Sequence, residues 1–262
     1  MPVKRPLSCF IIACNEGDRI ERCLRSVHGW VDELIVLDSG STDDTVAIAR
    51  RYADKVYQTD WPGFGAQRNR ALSLCSHSWV MNIDADEEVT PQLKDEIIAV
   101  LSEENLDVNF IKFPWHTVLF GTILKHGRYS SPQGKLFYAP GAKFKDTSVH
   151  ETLILPNCKA RTLRSPLLHY SWRDYEHAVA KHLHYASLSA KDKFKRGKRA
   201  SLAFASLRFF TDFLQQYILR GGILDGKAGF VMAVILAQYG FHKYAALWSL
   251  QRMAQKDTDN DR

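Results

Sequence analysis

The sequence has few cysteines and no paired cysteine motif. Its five cysteines are scattered along 262 residues and form no C-x-x-C pair, which argues against a structural zinc site and a disulfide framework. It also lacks a run of about 18 consecutive apolar residues, the length needed to cross a bilayer. The apolar stretch LSCFIIAC near the N-terminus is short for a signal peptide and is better explained as a buried strand. These absences predict a globular chain in a reducing compartment.

A glycine-rich phosphate loop is missing as well. A dinucleotide-binding unit would place G-x-G-x-x-G after the first strand, where this chain has ACNEGDR with a single glycine. Any bound phosphates are therefore not expected to rest mainly on a glycine-rich turn. A divalent metal that bridges acidic side chains and a diphosphate is the alternative.

Short apolar runs alternate with helical segments over the first hundred residues. LSCFIIA, ELIVLD, KVYQ and WVMNID are predicted strands, and the segments between them have helical apolar spacing. Strands that alternate with helices predict a parallel α/β sheet whose strands share one carboxyl edge. After about residue 105 shorter runs predict antiparallel strands, and from about residue 173 the chain is predicted to be helical.

Polar side chains stand at the carboxyl ends of three predicted strands. Asn15 and Glu16 follow the first strand, Asp38 ends the second, and Asp84 and Asp86 stand at the end of the fourth. Because these strand ends share one edge, the five side chains are expected to converge. Clustered carboxylates repel one another unless a cation or water compensates them. Hard oxygen ligands such as these suit Mg²⁺ or Mn²⁺, so the cluster predicts a metal site.

Four stretches resemble the nucleotide-sugar half of family-2 inverting glycosyltransferases of the GT-A fold: IIACNEGDRIERCLRSV, DELIVLDSGSTDDT, GFGAQRNRAL and WVMNIDADEEV. The sequence DAD at 84–86 resembles the D-x-D motif of that family. VHETLI and LLHYSWRD are similar to a bacterial subgroup, the β-1,4-glucosyltransferases of the lipopolysaccharide inner core. The resemblance implies a Rossmann-like GT-A domain with a mixed sheet over residues 1–172 and a basic helical region over 173–262.

The resemblance also implies a role for each matching residue. Nucleotide-sugar binding is implied for Asn15, Glu16, Asp38, Arg68 and Asp84, and metal binding for Asp86 and His169, with Mg²⁺ or Mn²⁺ as the cofactor. Glu151 is the implied catalytic base, which takes the proton of the acceptor hydroxyl as it attacks the anomeric carbon. Carboxylates are also typical of helix starts and turns, and that alternative stays open for Glu16 and Asp38.

Acidic residues are scarce in the second part of the chain. Residues 152–262 carry 18 Lys and Arg against 8 Asp and Glu, whereas residues 1–151 carry 17 against 21. The basic run KDKFKRGKR precedes two aromatic and aliphatic segments, which favours peripheral attachment to an anionic membrane surface. Core helices that pack on the α/β domain are the alternative. Gln238, His242 and Lys243 interrupt the second segment and argue against a membrane span.

The resemblance to the bacterial subgroup implies transfer of glucose from UDP-glucose to a heptose of the lipopolysaccharide or lipooligosaccharide core. Its alternatives are a polyprenyl-phosphate glycosyltransferase and a catalytically inactive peripheral membrane adaptor. The expected partners are a UDP-sugar donor, a lipid-linked saccharide acceptor and an anionic membrane, at the cytoplasmic face of the inner membrane. Nucleic acid is not expected, because the basic residues lie beside bulky aliphatic side chains.

Overall fold

A computed structural model describes residues 4–128, 131–145 and 152–260 of the chain. The chain divides into two compact units. The first consists of Met1–Trp115 and Ser131–His169, and the second of His116–Ser130 and Tyr170–Arg262. The boundary expected after residue 172 stays a prediction.

The described residues form thirteen strands and seven α-helices. The strands are β1 (Leu7–Ala13), β2 (Glu33–Asp38), β3 (Lys55–Gln58), β4 (Trp79–Asp84), β5 (Glu87–Val89), β6 (Phe110–Phe113), β7 (Trp115–Leu119), β8 (Thr122–Leu124), β9 (Gln133–Tyr138), β10 (Lys143–Phe144), β11 (Leu153–Ile154), β12 (Ala160–Thr162) and β13 (Leu167–His169). The helices are α1 (Ile20–Val27), α2 (Thr45–Ala49), α3 (Phe64–Ser73), α4 (Pro91–Leu101), α5 (Tyr175–Lys195), α6 (Leu202–Leu214) and α7 (Gly226–Asn260). A π-helical turn (Gln215–Leu219) and a 3-10 turn (Gly222–Asp225) lie between α6 and α7.

A seven-stranded mixed sheet forms the centre of the first unit, in the order β12-β6-β9-β4-β1-β2-β3. Strands β1 to β4 are parallel, as the alternation of strands and helices predicted. Strand β9 is antiparallel to both β4 and β6, which meets the expectation for the later strands, but β12 pairs parallel with β6. The mixed α/β fold is confirmed.

Strand β1 is buried on both faces of this sheet, which explains why its sequence shows no alternation. Cys9 and Ile11 belong to the core that α1 and α4 cover. Phe10 and Ile12 point the other way, into a second core that includes Ala71 of α3. Packing on both faces therefore fixes the position of the carboxyl end of β1.

Helices α5, α6 and α7 make up most of the second unit. Asp174 caps α5 by accepting the N–H of His177 at 2.7 Å, and Ser201 caps α6 by accepting that of Phe204 at 3.1 Å. By length and composition one helical stretch, Gly222–Gln255, could cross a membrane, with a hydropathy of 1.2 and 39% of its apolar window buried. The sequence pattern predicted no such segment, because Gln238, His242 and Lys243 interrupt its apolar run.

A buried carboxylate ties together the amino-terminal ends of the central strands. Glu33 of β2 accepts hydrogen bonds from the hydroxyl of Ser8 at 2.5 Å, the N–H of Ser76 at 2.7 Å and the ammonium of Lys55 at 2.7 Å. Burial works against ionisation, but these donors outweigh it and lower the pKa of Glu33 to about 2. The carboxylate therefore holds β1, β2, β3 and the segment before β4 in register.

We expect Glu33→Gln to lower the free energy of unfolding by about 2 kcal/mol near pH 7, because a hydrogen bond to a charged group contributes about 1.5–3 kcal/mol. The pKa of Glu33 is lowered in the folded chain. Its contribution is therefore present above the ordinary glutamate pKa and is lost as the pH falls toward about 2. Urea unfolding near pH 7 and near pH 3 should give a difference from wild type that shrinks at the lower pH. Glu104→Gln, at an exposed position, is the control, and an equal loss there contradicts the assignment.

Candidate active site

The carboxyl ends of the parallel strands bring the predicted polar residues together. In the sheet register Ala13 of β1 lies beside Asp38 of β2, and Ile12 lies beside Asp84 of β4. Asn15 and Glu16 leave the end of β1 between these two aspartates in the strand order. The predicted convergence at this edge is confirmed.

The loop after β1 is held against the turn after β2 by hydrogen bonds. Asn15 adopts a left-handed backbone with φ of 55°. Its N–H donates to the hydroxyl of Ser41 at 2.8 Å, and its side-chain oxygen accepts the N–H of Thr42 at 2.9 Å. The N–H of Glu16 donates to the hydroxyl of Thr45 at 2.8 Å. Asn15 thus shapes the loop that carries Glu16.

Asp38 is fully buried and organises the turn that follows β2. Its carboxylate accepts the N–H of Gly40 at 3.0 Å, the N–H of Ser41 at 2.9 Å and the Ser41 hydroxyl. Gly40 has a φ of +90°, which favours glycine at this position of the turn. The geometry therefore supports the turn interpretation of Asp38, and its role in nucleotide binding stays a prediction.

Asp84 lies between two cations of the protein. One carboxylate oxygen accepts from Arg68 at 2.7 Å, and the other accepts from the buried Lys135 of β9 at 2.8 Å. Burial opposes ionisation, yet Arg68 and Lys135 hold the pKa of Asp84 well below its usual range. Asp84 is therefore ionised at neutral pH, and protein cations compensate its charge.

Glu87 is almost completely buried behind the same lysine. Lys135 lies 2.8 Å from one Glu87 oxygen, which also accepts the N–H of Asp84 at 2.8 Å. The other Glu87 oxygen accepts the indole N–H of Trp115 at 2.9 Å. Burial raises the pKa of Glu87 and the Asp84 carboxylate adds to this effect, against the opposing Lys135. Glu87 therefore has a structural role within the acidic stretch, because it binds Lys135, the N–H of Asp84 and the indole of Trp115.

Asp86 points to a different set of neighbours. It lies 3.3 Å from the ring nitrogen Nε2 of His169 and 3.6 Å from the guanidinium of Arg19. Arg19 also donates to Glu16 at 2.9 Å, which links the loop after β1 to the acidic stretch. Although burial opposes it, His169 lowers the pKa of Asp86.

His169 ends β13, directly opposite Glu87 in the antiparallel pairing with β5. Its ring stacks on Trp115 with the centroids 4.1 Å apart and the planes 23° apart. Because Glu87 holds the Trp115 indole, the ring of His169 is positioned from the buried side. Its Nδ1 is buried and has no hydrogen-bond partner among the residues that the structure describes.

Asp86 and His169 together can hold a divalent cation. Within residues 4–128, 131–145 and 152–260, no three His, Cys, Asp or Glu side chains are grouped as a metal site. Mg²⁺ sites commonly use one or two protein carboxylates and complete their coordination with substrate phosphates and water. A carboxylate oxygen 3.3 Å from an imidazole nitrogen, with Asp84 close by, fits that pattern. The residues present therefore fit a metal shared with a diphosphate.

Glu151 and its neighbour Asp146 lie outside the described residues. The assignment of Glu151 as the catalytic base therefore stays a prediction. The roles of Arg68, Asp84, Asp86 and His169 toward a ligand also stay predictions, although the structure does bring these four side chains to one site.

Several residues of the site were not found from the sequence: Arg19, Gln67, Glu87, Trp115 and Lys135. Gln67 is fully buried and its amide donates to the hydroxyls of Ser39 and Thr59, both at 2.9 Å. The available signal was the lone charge of Lys135 within the apolar strand QGKLFY. Its carboxylate partners become apparent only once β9 is known to lie beside β4.

Comparison with known proteins gives consistent matches. The glycosyl transferase family 2 profile matches residues 8–158. A glycosyltransferase of Rickettsia felis is 34% identical over 252 residues, which cover 92% of this chain and 89% of that protein. The lipopolysaccharide core biosynthesis glycosyltransferase LpsC of Rhizobium meliloti is 29% identical over 267 residues, 98% of this chain and 96% of that protein.

Among solved structures, similarity is found to glucosyl-3-phosphoglycerate synthase of Mycobacterium tuberculosis, in complex with Mn²⁺, UDP and glucosyl-3-phosphoglycerate. The identity is 32%, over 42% of this chain and 44% of that chain, and the TM-score is 0.37. The family profile covers more than half of the sequence, and the mixed sheet is the one expected of the GT-A fold. The chain is therefore a glycosyltransferase that belongs to glycosyl transferase family 2.

Proposed function

We propose that this chain transfers glucose from UDP-glucose to a heptose of the lipopolysaccharide or lipooligosaccharide core. The observation that carries the proposal is the site at the end of β4, where Asp84, Asp86, Arg68 and His169 meet. The relative LpsC, named for lipopolysaccharide core biosynthesis, aligns with nearly the whole chain and supports the choice of acceptor.

The donor would occupy the carboxyl edge of the sheet. Asn15, Glu16 and Asp38 shape the loops at which the nucleoside would rest, and Arg68 offers a guanidinium to the diphosphate. Asp86 and His169 would hold Mg²⁺ or Mn²⁺. When bound, such a metal neutralises the charge that develops on the departing nucleoside diphosphate.

Glu151 would take the proton of the acceptor hydroxyl. Asp84 and Asp86 are poor candidates for this step, because nearby cations lower the pKa of both carboxyls and reduce their basicity. A base from the acceptor side permits attack on the anomeric carbon opposite the leaving group. An α-linked donor would then give a β-linked product.

The acceptor is lipid-linked, so we place the protein peripherally on the cytoplasmic face of the inner membrane. One observation favours a second candidate function. The apolar stretch Gly222–Gln255 is long enough to span a bilayer, and spanning helices are common among enzymes that glycosylate polyprenyl phosphates. A catalytically inactive adaptor is less well supported, because the sequence keeps an intact D-x-D at 84–86 and offers Glu151 as a candidate base.

Sugar transfer by the purified full-length chain tests this proposal. Incubation with a panel of radiolabelled nucleotide sugars and a heptose-terminated lipopolysaccharide core should give product from UDP-glucose, only with Mg²⁺ or Mn²⁺ present. Excess chelator should abolish transfer, because the charge on the leaving diphosphate is then not neutralised. Transfer to polyprenyl phosphate instead would establish the second function. No transfer from any donor to either acceptor would contradict both.

Glu151→Gln is expected to lower kcat by about 10²–10⁴-fold, the usual cost of removing a general base. Binding of UDP with Mn²⁺, measured by calorimetry, should stay close to wild type, because the base acts on the acceptor and not on the donor. Asp146→Asn, in the same segment, is the matched control and should retain activity. A Glu151→Gln variant within a few-fold of wild type would rule out this base.

A further inference from the structure

Helix α6 is apolar on the face that it turns to solvent. Leu207, Phe210 and Leu214 recur at spacings of three and four residues, and each is more than half exposed. The same surface continues through the π-helical turn, where Ile218 is 51% and Leu219 is 79% exposed. A solvated helix face normally carries polar side chains, so an apolar stripe of this length indicates an interaction surface. We call these five residues the α6 stripe.

The opposite face of α6 is already used for packing. The ring of Phe213 lies 5.8 Å from that of Phe230 in α7, and the ring of Phe204 lies 4.8 Å from that of Tyr244. At Gly240 of α7 an added Cβ would lie 2.1 Å from the Asp212 carboxylate, so the two helices approach closely. The α6 stripe is therefore an additional apolar surface, beyond what the fold of this unit needs.

The charged residues near the α6 stripe are mostly basic and lie at its two ends. Between residues 202 and 219 the only charged residues are Arg208 and Asp212, which pair with each other on the inner face. Residues 193–211 contain no Asp or Glu. Exposed basic residues precede and follow the stripe: Lys195, Arg196, Lys198, Arg199 and Arg220. The surface is thus apolar along its middle and cationic at both ends.

We propose that the α6 stripe is the surface that enters the interface of an anionic bilayer, with the flanking lysines and arginines contacting lipid phosphates. A helix that exposes apolar side chains between cationic flanks can lie in the plane of the membrane interface, with its apolar side chains among the lipids and its cations at the anionic headgroups. The inference deepens the peripheral localisation proposed above and rests on it. A second copy of the chain is disfavoured as the occupant, because an antiparallel pair of stripes would bring the basic ends together.

Helix α7 is less suited than the α6 stripe to contact a membrane, because much of its apolar surface is already buried. Its residues Met232, Ala233, Ile235 and Leu236 are buried within the helical unit. The ring of Tyr239 also contacts that of His182 in α5. Insertion of α7 across a bilayer would break these contacts, whereas insertion of the α6 stripe breaks none of them.

Co-sedimentation of the full chain with vesicles tests the proposal without donor or acceptor, so it is independent of catalysis. The wild type should bind vesicles of phosphatidylcholine mixed with phosphatidylglycerol, bind phosphatidylcholine alone weakly, and be released by salt. Leu207→Gln, Phe210→Gln and Leu214→Gln together should weaken vesicle binding at least about tenfold. The variant has lost three apolar side chains that the wild type would transfer from water into the bilayer. The thermal unfolding midpoint should be unchanged, since these side chains are exposed.

The matched control is Leu183→Gln, Tyr185→Gln and Leu188→Gln together, three side chains of α5 that are similarly exposed. This variant should bind vesicles within about twofold of wild type. It also loses three exposed apolar side chains, but these lie outside the α6 stripe and do not enter the bilayer. Unchanged binding by the α6 variant, or equal loss by the control, would overturn the assignment. A wild-type dimer that ignores vesicles and dissociates in the α6 variant would also overturn it. If the chain stays in membranes after alkaline extraction, the α6 assignment is also overturned, and α7 is then the membrane-spanning segment.

Discussion

The ammonium group of Lys135 lies between two carboxylates at the end of β4, 2.8 Å from Asp84 and 2.8 Å from Glu87. Two like charges about 4 Å apart repel by about 4 kcal/mol at the effective dielectric near a protein surface, and burial adds a desolvation cost. The two carboxylates raise the pKa of Lys135 even though burial opposes this, so the lysine stays charged. The acidic stretch that the active site requires can be folded because this cation is supplied from β9.

Glu87 and Asp86, although adjacent in sequence, have different neighbours and different roles. Glu87 faces inward and fastens Lys135 and Trp115, and Trp115 in turn supports the ring of His169. Asp86 faces the other way, toward His169 and Arg19. The cation that the sequence predicted for this cluster is therefore partly the protein's own, and Asp86 with His169 is the pair proposed above to hold a metal. One carboxylate stabilises the fold and the adjacent one is available for chemistry.

Much of the candidate site could be predicted from sequence, because hydrophobic periodicity identifies β1 to β4 and the topology of parallel strands places Asp38 and Asp84 at the same edge of the sheet. The partners of Asp84 could not be predicted in this way. Lys135 is 51 residues away, and strand periodicity does not reveal that β9 enters the sheet antiparallel beside β4. The sequence favoured membrane attachment of the segment that contains α6, but it could not identify the exposed face. Arg208 and Asp212 pair with each other on the inner face, so the apolar side of α6 is the one that meets solvent, the reverse of the usual pattern.

The most direct test compares Asp86→Ala with the adjacent Glu87→Ala, with calorimetric binding of UDP and Mn²⁺ and urea unfolding measured for both. Asp86→Ala should lose metal-dependent UDP binding and lose less stability than Glu87→Ala, because among the described residues the Asp86 carboxylate makes only the longer contacts of 3.3 Å and 3.6 Å to His169 and Arg19. Glu87→Ala should lose about 3 kcal/mol of unfolding free energy, because the buried indole N–H of Trp115 and the N–H of Asp84 lose their acceptor and the charge of Lys135 is left with Asp84 alone. It should bind UDP with Mn²⁺ within about tenfold of wild type where folded. If Asp86→Ala binds like wild type, or if Glu87→Ala is as stable as wild type, the division of roles within the acidic stretch is wrong.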